Sequence, residues 1–533
     1  MDPQSNRILN FLSLPANYPH HPRNIRRLQT HASWVFIAPP FVYKIKQPVN
    51  LGFLNFTSLE SRRINSESEV RLNRRLAENV YLGVLAICSN GTELHFETPP
   101  SNIPAPPNVL EWVVQMRQLP ENGFLLHKLH TGTATDHDIH RVIDRLLTFY
   151  HTQPPLTGSP AAAATDRMHK HIEDNFQTAR SIPESILPPH RLAFLQTGTA
   201  AFESRHRSLL QHRPSHGWIR DCHGDLHLEH IHLSDEQVQI YDCLEFDDGL
   251  RQIDIACDIA FLAMDLDFHQ RSDWSHLLIQ RLTHELPDPE MPLLMRWYQT
   301  YRACVRGKVE YLRSISETAT TQERADAADN ARRYFQLAAR YLFAGNKPRI
   351  LTFAGQSASG KSLLAEFAAT ETGWPLLSSD QIRKTLAGVP LFHRVSATER
   401  TALYSAQMTE AVYTAIQNKA AELLNAGHSV ILDATFSDQA QRAALMKFAA
   451  GIDAELIWTI AEAPEDIRRE RLRCRAHQTD VVSDAREEDL PLLSSRFQPP
   501  TELPSQDCIH VDTSSSPALS KSCWLQQIAS RQS

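Results

Sequence analysis

The chain has 533 residues, of which 42% are hydrophobic and 22% charged, with a formal net charge of -7. That length exceeds the roughly 250–300 residues at which single cores stop growing, so two or three domains are expected, and the composition excludes a disordered or fibrous chain. An acidic balance excludes an overall basic footprint for unselective grip on nucleic acid, leaving room only for a local basic groove.

The first element in chain order is "SWVFIAPPFVYKIKQ" (33–47), two β-branched and aromatic strands meeting at Pro39-Pro40, which reads as a hairpin. A helix is expected over "TSLESRRINSESEVRLNRRLAEN", where Ile64, Val70, Leu72 and Leu76 recur at helical spacing after a Thr/Ser start signal. "VYLGVLAICSN" and "NVLEWVVQMRQL" are further strands. The chain therefore begins as a small sheet crossed by one helix. From 121 to 220 the texture is helical, interrupted by "QPPLTGSPAAAAT" (153–165), read as a surface loop.

The segment "RDCHGDLHLEHIHL" (220–233) is followed by a strand in "QVQIYDCLEF" and by helices through "MRWYQTYRACVRGKVEYLRSI" and "ERADAADNARRYFQLAARYLF". "AGNKPR" (344–349) punctuates the chain, placing a boundary between a domain of 1–344 and one of 345–533. Beyond it, strands ("RILTFAG", "HSVILDATF", "DAELIWTIAE") alternate with helices, as a parallel α/β sheet requires. The Ser-rich residues from about 514 are expected to be a frayed tail.

Eight cysteines lie far apart without a CxxC pair, as reduced thiols of a cytoplasmic protein would. The amino terminus lacks a basic segment followed by an apolar stretch, and no run reaches the roughly 18 apolar residues of a membrane span, so a cytoplasmic location without membrane contact is expected.

"GQSASGKS" joins a strand to a helix and satisfies G-x-x-x-x-G-K-[ST]. In it Gly355, Gln356, Ser357, Ala358, Ser359 and Gly360 would wrap a phosphate with their amides, Lys361 would bridge the terminal phosphates and Ser362 would ligate Mg²⁺. ATP or GTP is thus the expected ligand. Asp380 and Arg383, three residues apart after a short apolar segment, can point from one helix toward an acceptor, the carboxylate orienting a hydroxyl. Asp433 ends a strand where it could hold Mg²⁺ or contact the acceptor, and Arg468, Arg471 and Arg475 fall near one helical face, as a lid would need. Over about 349–510 these residues resemble the small P-loop kinases that include the polynucleotide 5'-kinase and zeta-toxin-like kinases. The resemblance implies Asp380 as base or orienter, Arg383 as clamp, and the arginines as lid.

Three readings meet in "HGDLHLEHIHL" (223–233). A zinc or iron site would use its imidazoles with a carboxylate, but His230 and His232 alternate as in a strand and face one side, while His223 sits across a loop. A metallophosphoesterase would need further Asp, His and Asn motifs that the chain lacks. A kinase loop fits best, with an Asp receiving a hydroxyl, a metal-holding residue five positions on, and a carboxylate after the next strand.

The segment resembles the aminoglycoside phosphotransferase fold, whose motif is His-Gly-Asp-x-His-x-x-Asn. That resemblance implies Asp225 as base, with His230 standing where the family has its metal-binding Asn. It implies Asp242 or Glu245 as the second metal carboxylate, with Asp247 a lesser candidate, and Asp258 packed under the loop. Upstream, Lys44, with Lys46 on the same strand face, would meet the nucleotide phosphates, held by Glu69 or Glu67 from the following helix. "EWVVQMRQL" would join a small lobe (about 1–120) to a helical large lobe (about 121–344).

As a whole the chain resembles bifunctional aminoglycoside phosphotransferase/ATP-binding proteins. The resemblance implies an α+β protein-kinase-like domain followed by an α/β P-loop domain with a parallel sheet. The implied activity is transfer of the γ-phosphate of ATP to a hydroxyl of a small molecule, a nucleic-acid end being an alternative acceptor for the second domain alone. Two rival readings remain: a first domain that senses a ligand and regulates the second, and an ATPase without an acceptor.

Overall fold

The computed structural model describes residues 3–30, 32–50, 54–99, 108–317, 319–345 and 347–531. The chain divides into two compact units, residues 1–172 with 208–299, and residues 173–207 with 300–533. The expected boundary at 344/345 falls inside the second unit, which also gathers helices from the middle of the chain. Among the described residues no helix is long and apolar enough to cross a membrane.

The first unit is built on an antiparallel sheet of β1 (Arg26–Gln29), β2 (Ser33–Ala38), β3 (Phe41–Lys46), β4 (Tyr81–Ser89), β5 (Leu94–Glu97) and β6 (Val109–Arg117), in the order β1-β2-β3-β6-β4-β5. The hairpin pairs Ala38 with Phe41 across Pro39-Pro40, as the sequence indicates, while the short β1 and β5 escaped it. Alternation along β3 sends Tyr43 and Ile45 into an apolar cluster with Trp34, Phe36 and Tyr18. Lys44 and Lys46 therefore share the opposite face. Helix Leu59–Asn73 starts at Ser58, whose hydroxyl accepts from the Ser61 amide at 3.0 Å, and carries Glu69 and Asn73 fully buried.

The remainder of this unit is helical, with two short ribbons: β7 (Ile219–Asp221) pairs with β10 (Gln252–Asp254), and β8 (Ile231–Leu233) with β9 (Val238–Ile240). Helix Asp136–Thr152 opens with a capping box between Thr135 and Asp138. Helix Ile255–Phe268 is buried on nearly every side. Residues 153–165 differ from the expected loop: a helical turn spans Gly158–Ala162 and a helix runs over Ala164–Ala179, because alanine, the best helix former, outweighs the flanking prolines.

The second unit centres on a five-stranded parallel sheet of β11 (Arg349–Ala354), β12 (Leu376–Ser378), β13 (Val430–Asp433), β14 (Glu455–Glu462) and β15 (Cys508–Asp512), ordered β12-β13-β11-β14-β15. β11 lies in the middle and is buried along its whole length, as expected of a strand covered on both faces. The residues from 514 are not a frayed tail: helix Pro517–Ala529 is capped by Ser516 and buries Trp524, whose indole Nε1 donates to Thr459 Oγ1 at 3.0 Å. Trp524 also stacks on Phe343, which stacks on Phe194, so helices far apart in sequence join one core.

Candidate functional site

In the second unit, the turn after the central β11 carries Gly355 at φ +143°, Ala358 at +61° and Gly360 at +95°, ending at helix Lys361–Thr372. A Cβ on Gly355 would stand 2.4 Å from the Ala461 carbonyl oxygen, and one on Gly360 3.1 Å from Thr513 Oγ1. Both glycines are thus required by conformation and by close packing. The loop ends at a helix amino terminus on the carboxyl edge of a parallel sheet, where a phosphate meets unpaired amides.

Asp433, at the end of β13, is 6% exposed and accepts a hydrogen bond from the Ser362 hydroxyl. Its Oδ1 has no partner among the described residues. Burial pushes this carboxyl up, and the Lys361 ammonium and Ser362 hydroxyl oppose that. A buried carboxylate with an open oxygen beside a loop serine is an oxygen-donor set that fits Mg²⁺. Asp380 and Glu366 both act on Asp433 electrostatically. Glu366 was not foreseen, though it lies four residues after Ser362 and so one turn along the same helix face. Asp380 accepts from the Tyr404 hydroxyl at 3.5 Å.

The basic residues separate by partner. Arg475 is in electrostatic reach of Asp380, Asp433 and Glu366, and its burial lowers its pKa. Arg471 does not reach toward a ligand: its guanidinium donates to the Ala358 carbonyl at 3.1 Å and to Thr513, buttressing the phosphate loop from the protein side. Arg468 is buried against Ser494, whose hydroxyl donates to Gln356 Oε1 at 3.3 Å. Arg383 turns inward, donating to the Leu403 carbonyl at 3.0 Å and lying over the Tyr404 ring. It thereby positions Tyr404, the partner of Asp380.

In the first unit, Glu69 divides its carboxylate between two lysines, Oε1 to Lys44 Nζ at 2.8 Å and Oε2 to Lys46 Nζ at 2.9 Å. Lys44 also reaches Asp242 Oδ1 at 3.2 Å, and Lys46 reaches Glu245 Oε1 at 2.5 Å. The alternatives Lys44/Lys46 and Asp242/Glu245 therefore resolve into one five-membered network centred on Glu69. Burial would depress both ammonium groups, but Asp242 for Lys44 and Glu245 for Lys46 head the carboxylates that hold them raised. Burial raises Asp242 in turn, but the Lys44 ammonium and the His230 ring together outweigh it, so this carboxyl is held far below its usual range. Burial keeps Glu245 raised. Glu67 pairs instead with Arg63 on the exposed helix face, and Asp247 accepts from the Gly249 amide as a helix cap.

The segment 223–230 is held from beneath. Asp258 Oδ2 accepts from the His223 amide at 3.0 Å and from Tyr150 Oη at 2.9 Å, and its Oδ1 accepts from the Gly224 amide at 2.8 Å. Asp265, two turns further along helix Ile255–Phe268, accepts from the Leu228 amide at 2.9 Å. Gly224 has φ +84°, and a Cβ there would stand 3.0 Å from the Leu250 carbonyl oxygen.

Asp225 is thus presented on an anchored loop, its side chain 32% exposed. His230 Nδ1 donates to the Asp225 carbonyl at 2.9 Å, and His230 Nε2 lies 3.5 Å from Asp242 Oδ2. His230 closes a 3₁₀ turn rather than extending the strand with His232, which donates from Nε2 to the Pro120 carbonyl. Burial, then the His227 ring, depresses the His230 pKa, and burial alone leads the fall of His223 to about 4. Asp242 has φ +62°, unusual for a residue with a side chain and a mark of a constrained site.

Residues 350–500 match the family model described as AAA domain. "Uncharacterized protein Rv2004c" of Mycobacterium tuberculosis (strain ATCC 25618 / H37Rv) is 29% identical over 468 residues, covering 88% of this chain and 89% of that protein. Among solved structures, a gluconokinase from Sinorhizobium meliloti 1021 aligns at 20% identity, over 35% of this chain and 94% of its own, with a TM-score of 0.26. The Mycobacterium tuberculosis APS kinase CysC in complex with AMPPNP and APS aligns at 19% identity, over 34% and 97% of the two chains, with a TM-score of 0.25.

Proposed function

We propose that the second unit transfers the γ-phosphate of ATP to a hydroxyl of a small molecule. The observation that carries this is the open Oδ1 of buried Asp433 beside Ser362, with the Lys361 ammonium and the Asp380 carboxylate both in electrostatic reach of it. Loop amides and Lys361 hold the phosphates, and Ser362 and Asp433 would hold Mg²⁺. Mg²⁺, when bound, neutralises charge developing on the transferring group. Asp380, partnered by Tyr404, would orient the acceptor hydroxyl and take its proton. Arg475 offsets the negative charge of Asp380, Asp433 and Glu366.

For the first unit we propose a second phosphotransfer site of the protein-kinase-like type. The pairing of Lys44 with Glu69 and the anchoring of 223–228 by Asp258 and Asp265 support it. Lys44 would meet the nucleotide phosphates and Asp225 would orient a hydroxyl.

The experiment is a screen of the full chain for γ-phosphate transfer to sugars, aminoglycosides, nucleosides and oligonucleotide ends, beside Lys361→Ala and Asp225→Ala. A phosphorylated hydroxyl lost in Lys361→Ala is expected. Release of inorganic phosphate alone, with every acceptor, overturns the reading in favour of an ATPase. An acceptor lost only in Asp225→Ala would move the activity to the first unit.

A further inference from the structure

We infer that Cys88, His95 and Glu97 form a Zn²⁺ site on the antiparallel sheet of the first unit, with a fourth position open to water. Both phosphotransfer readings stand without these three residues. One ligand atom from each lies within 4.8 Å of the other two. His95 Nε2 is 3.8 Å from Glu97 Oε2, and the Cys88 thiol donates to the Glu97 carboxylate. Around Zn²⁺, with sulfur at about 2.3 Å and nitrogen and oxygen at about 2.0–2.1 Å, tetrahedral donors stand about 3.3–3.6 Å apart. The imidazole and the carboxylate are exposed and close the difference by side-chain rotation, while the fully buried thiol is the fixed donor.

Strand register brings the donors together. β4 pairs with β5 so that Cys88 stands opposite His95 and Ala86 opposite Glu97. Residues directly opposed on one face hold their Cβ atoms about 4.5–5.5 Å apart. Leu94 and Phe96 pack against the apolar cluster of Trp34, Phe36 and Ile87. Alternation therefore sends His95 and Glu97 to the other face, where Cys88 packs with Ala86 and Trp112. The turn between the two strands is held before any ion arrives. Asn90 Oδ1 accepts from the Glu93 amide at 2.9 Å, and Arg7 Nη2 donates to the carbonyls of Gly91 at 3.2 Å and Thr92 at 3.0 Å.

The donor set then selects the ion. A thiolate is a poor ligand for Mg²⁺ and Ca²⁺, which take oxygen, whereas thiolate with imidazole and carboxylate is a donor set that suits zinc. A role for Cys88 as a free nucleophile is disfavoured, because burial and then the Glu97 carboxylate push its thiol up to about 11. Zn²⁺ would take the thiolate, the proton would leave to solvent, and the charge of the ion would offset that of Glu97. Bound there, the ion would fasten β5, at the edge of the sheet, to its neighbour β4.

The test is a Co²⁺ titration of the full chain, stripped with a chelator, kept reduced with a phosphine and held in excess Mg²⁺, for wild type, Cys88→Ala, His95→Gln and Glu97→Gln. Cobalt bound by a thiolate shows a near-ultraviolet charge-transfer band that imidazole and oxygen ligands elsewhere in the chain do not produce. Wild type is expected to develop this band up to one Co²⁺ per chain and to lose it when Zn²⁺ is added. Cys88→Ala is expected to lack the band, and His95→Gln and Glu97→Gln to bind at least tenfold more weakly. X-ray absorption of the Zn²⁺-loaded wild-type chain should show one sulfur at about 2.3 Å, an expectation that depends on no variant. No band in wild type, a band retained in Cys88→Ala, unchanged affinity in either His95→Gln or Glu97→Gln, or bound zinc without sulfur would each overturn the site.

Discussion

Arg191 closes a bidentate ion pair on Glu371, with Nε 2.9 Å from Oε2 and Nη2 2.8 Å from Oε1. Glu371 is 3% exposed and ends the helix that begins at Lys361, so this pair fastens the helix Pro189–Arg205 to the element bearing the phosphate loop. Burial raises the Glu371 carboxyl, but His190 and Arg191 overcome that and hold it at about 2. Below the ordinary value near 4.5 the unfolded chain binds a proton that the folded chain refuses. The stabilisation is therefore whole above pH 4.5 and is lost as pH falls toward about 2, an effect on the order of 3 kcal/mol. Urea unfolding of the second unit is expected to weaken across that window, and Glu371→Gln to flatten this part of the profile.

Lys46 is 2% exposed along its side chain and serves both Glu69 and Glu245. Lys46→Met strands Glu245 in the interior, and a destabilisation of about 3–5 kcal/mol is expected. Adding Glu245→Gln should recover much of the loss. Lys44→Met should cost less, because Glu69 retains Lys46 and Asp242 is 43% exposed at its side chain. Chemical denaturation of the four proteins measures the order, and equal losses for the two lysines would count against it.

Lys361→Ala is expected to lower ATP turnover by at least about 100-fold, the usual cost of removing one preorganised group from a charge-developing centre. Lys361 is half-buried at the helix start, so the thermal midpoint should move little. Radiolabelled ATP assays beside a melting curve separate the two effects.

Asp380→Asn should leave ATP affinity unchanged and reduce the rate of transfer by roughly 10²–10⁴. Tyr404→Phe, which removes the 3.5 Å hydrogen bond to Asp380 and the hydroxyl's bond to the Asp484 backbone, should produce a much smaller loss. A fall in ATP affinity for Asp380→Asn, with kcat intact, would assign the carboxylate to the nucleotide rather than the acceptor.

Trp524 is fully buried between Phe343, Phe353 and Phe367. Trp524→Ala should cost about 3–5 kcal/mol, and a chain ending at residue 513 should lose the cooperative unfolding of the second unit. Differential scanning calorimetry reports both.

The elements foreseen along the chain are those whose signals are local. β3 and its hairpin follow from alternation, the helix Lys361–Thr372 from the glycine-bounded loop before it, and the parallel sheet from strands alternating with helices. The helix Pro517–Ala529 was legible too, in Ser516 as cap and Pro517 in the first turn, but the serines around it read as a tail. β1, β5 and β15 are four or five residues long and owe their existence to neighbouring strands, a signal that no window of sequence contains.

The sequence by itself determined the phosphate loop, because the positive φ of Gly355 and Gly360 and the helix start after them depend on residues a few positions apart. It also determined that Lys44 and Lys46 share a face, since a strand alternates with a period of two. Only the tertiary structure decided which charges meet. Arg471 and Arg475 are one helical turn apart, yet one braces Ala358 and Thr513 while the other faces Asp380 and Asp433. Glu69 is divided between two lysines, and Asp258 and Asp265 hold a loop some thirty-five residues before them. Long charged side chains take the direction in which burial leaves a partner, and those partners arrive from strands and helices that sequence spacing does not relate.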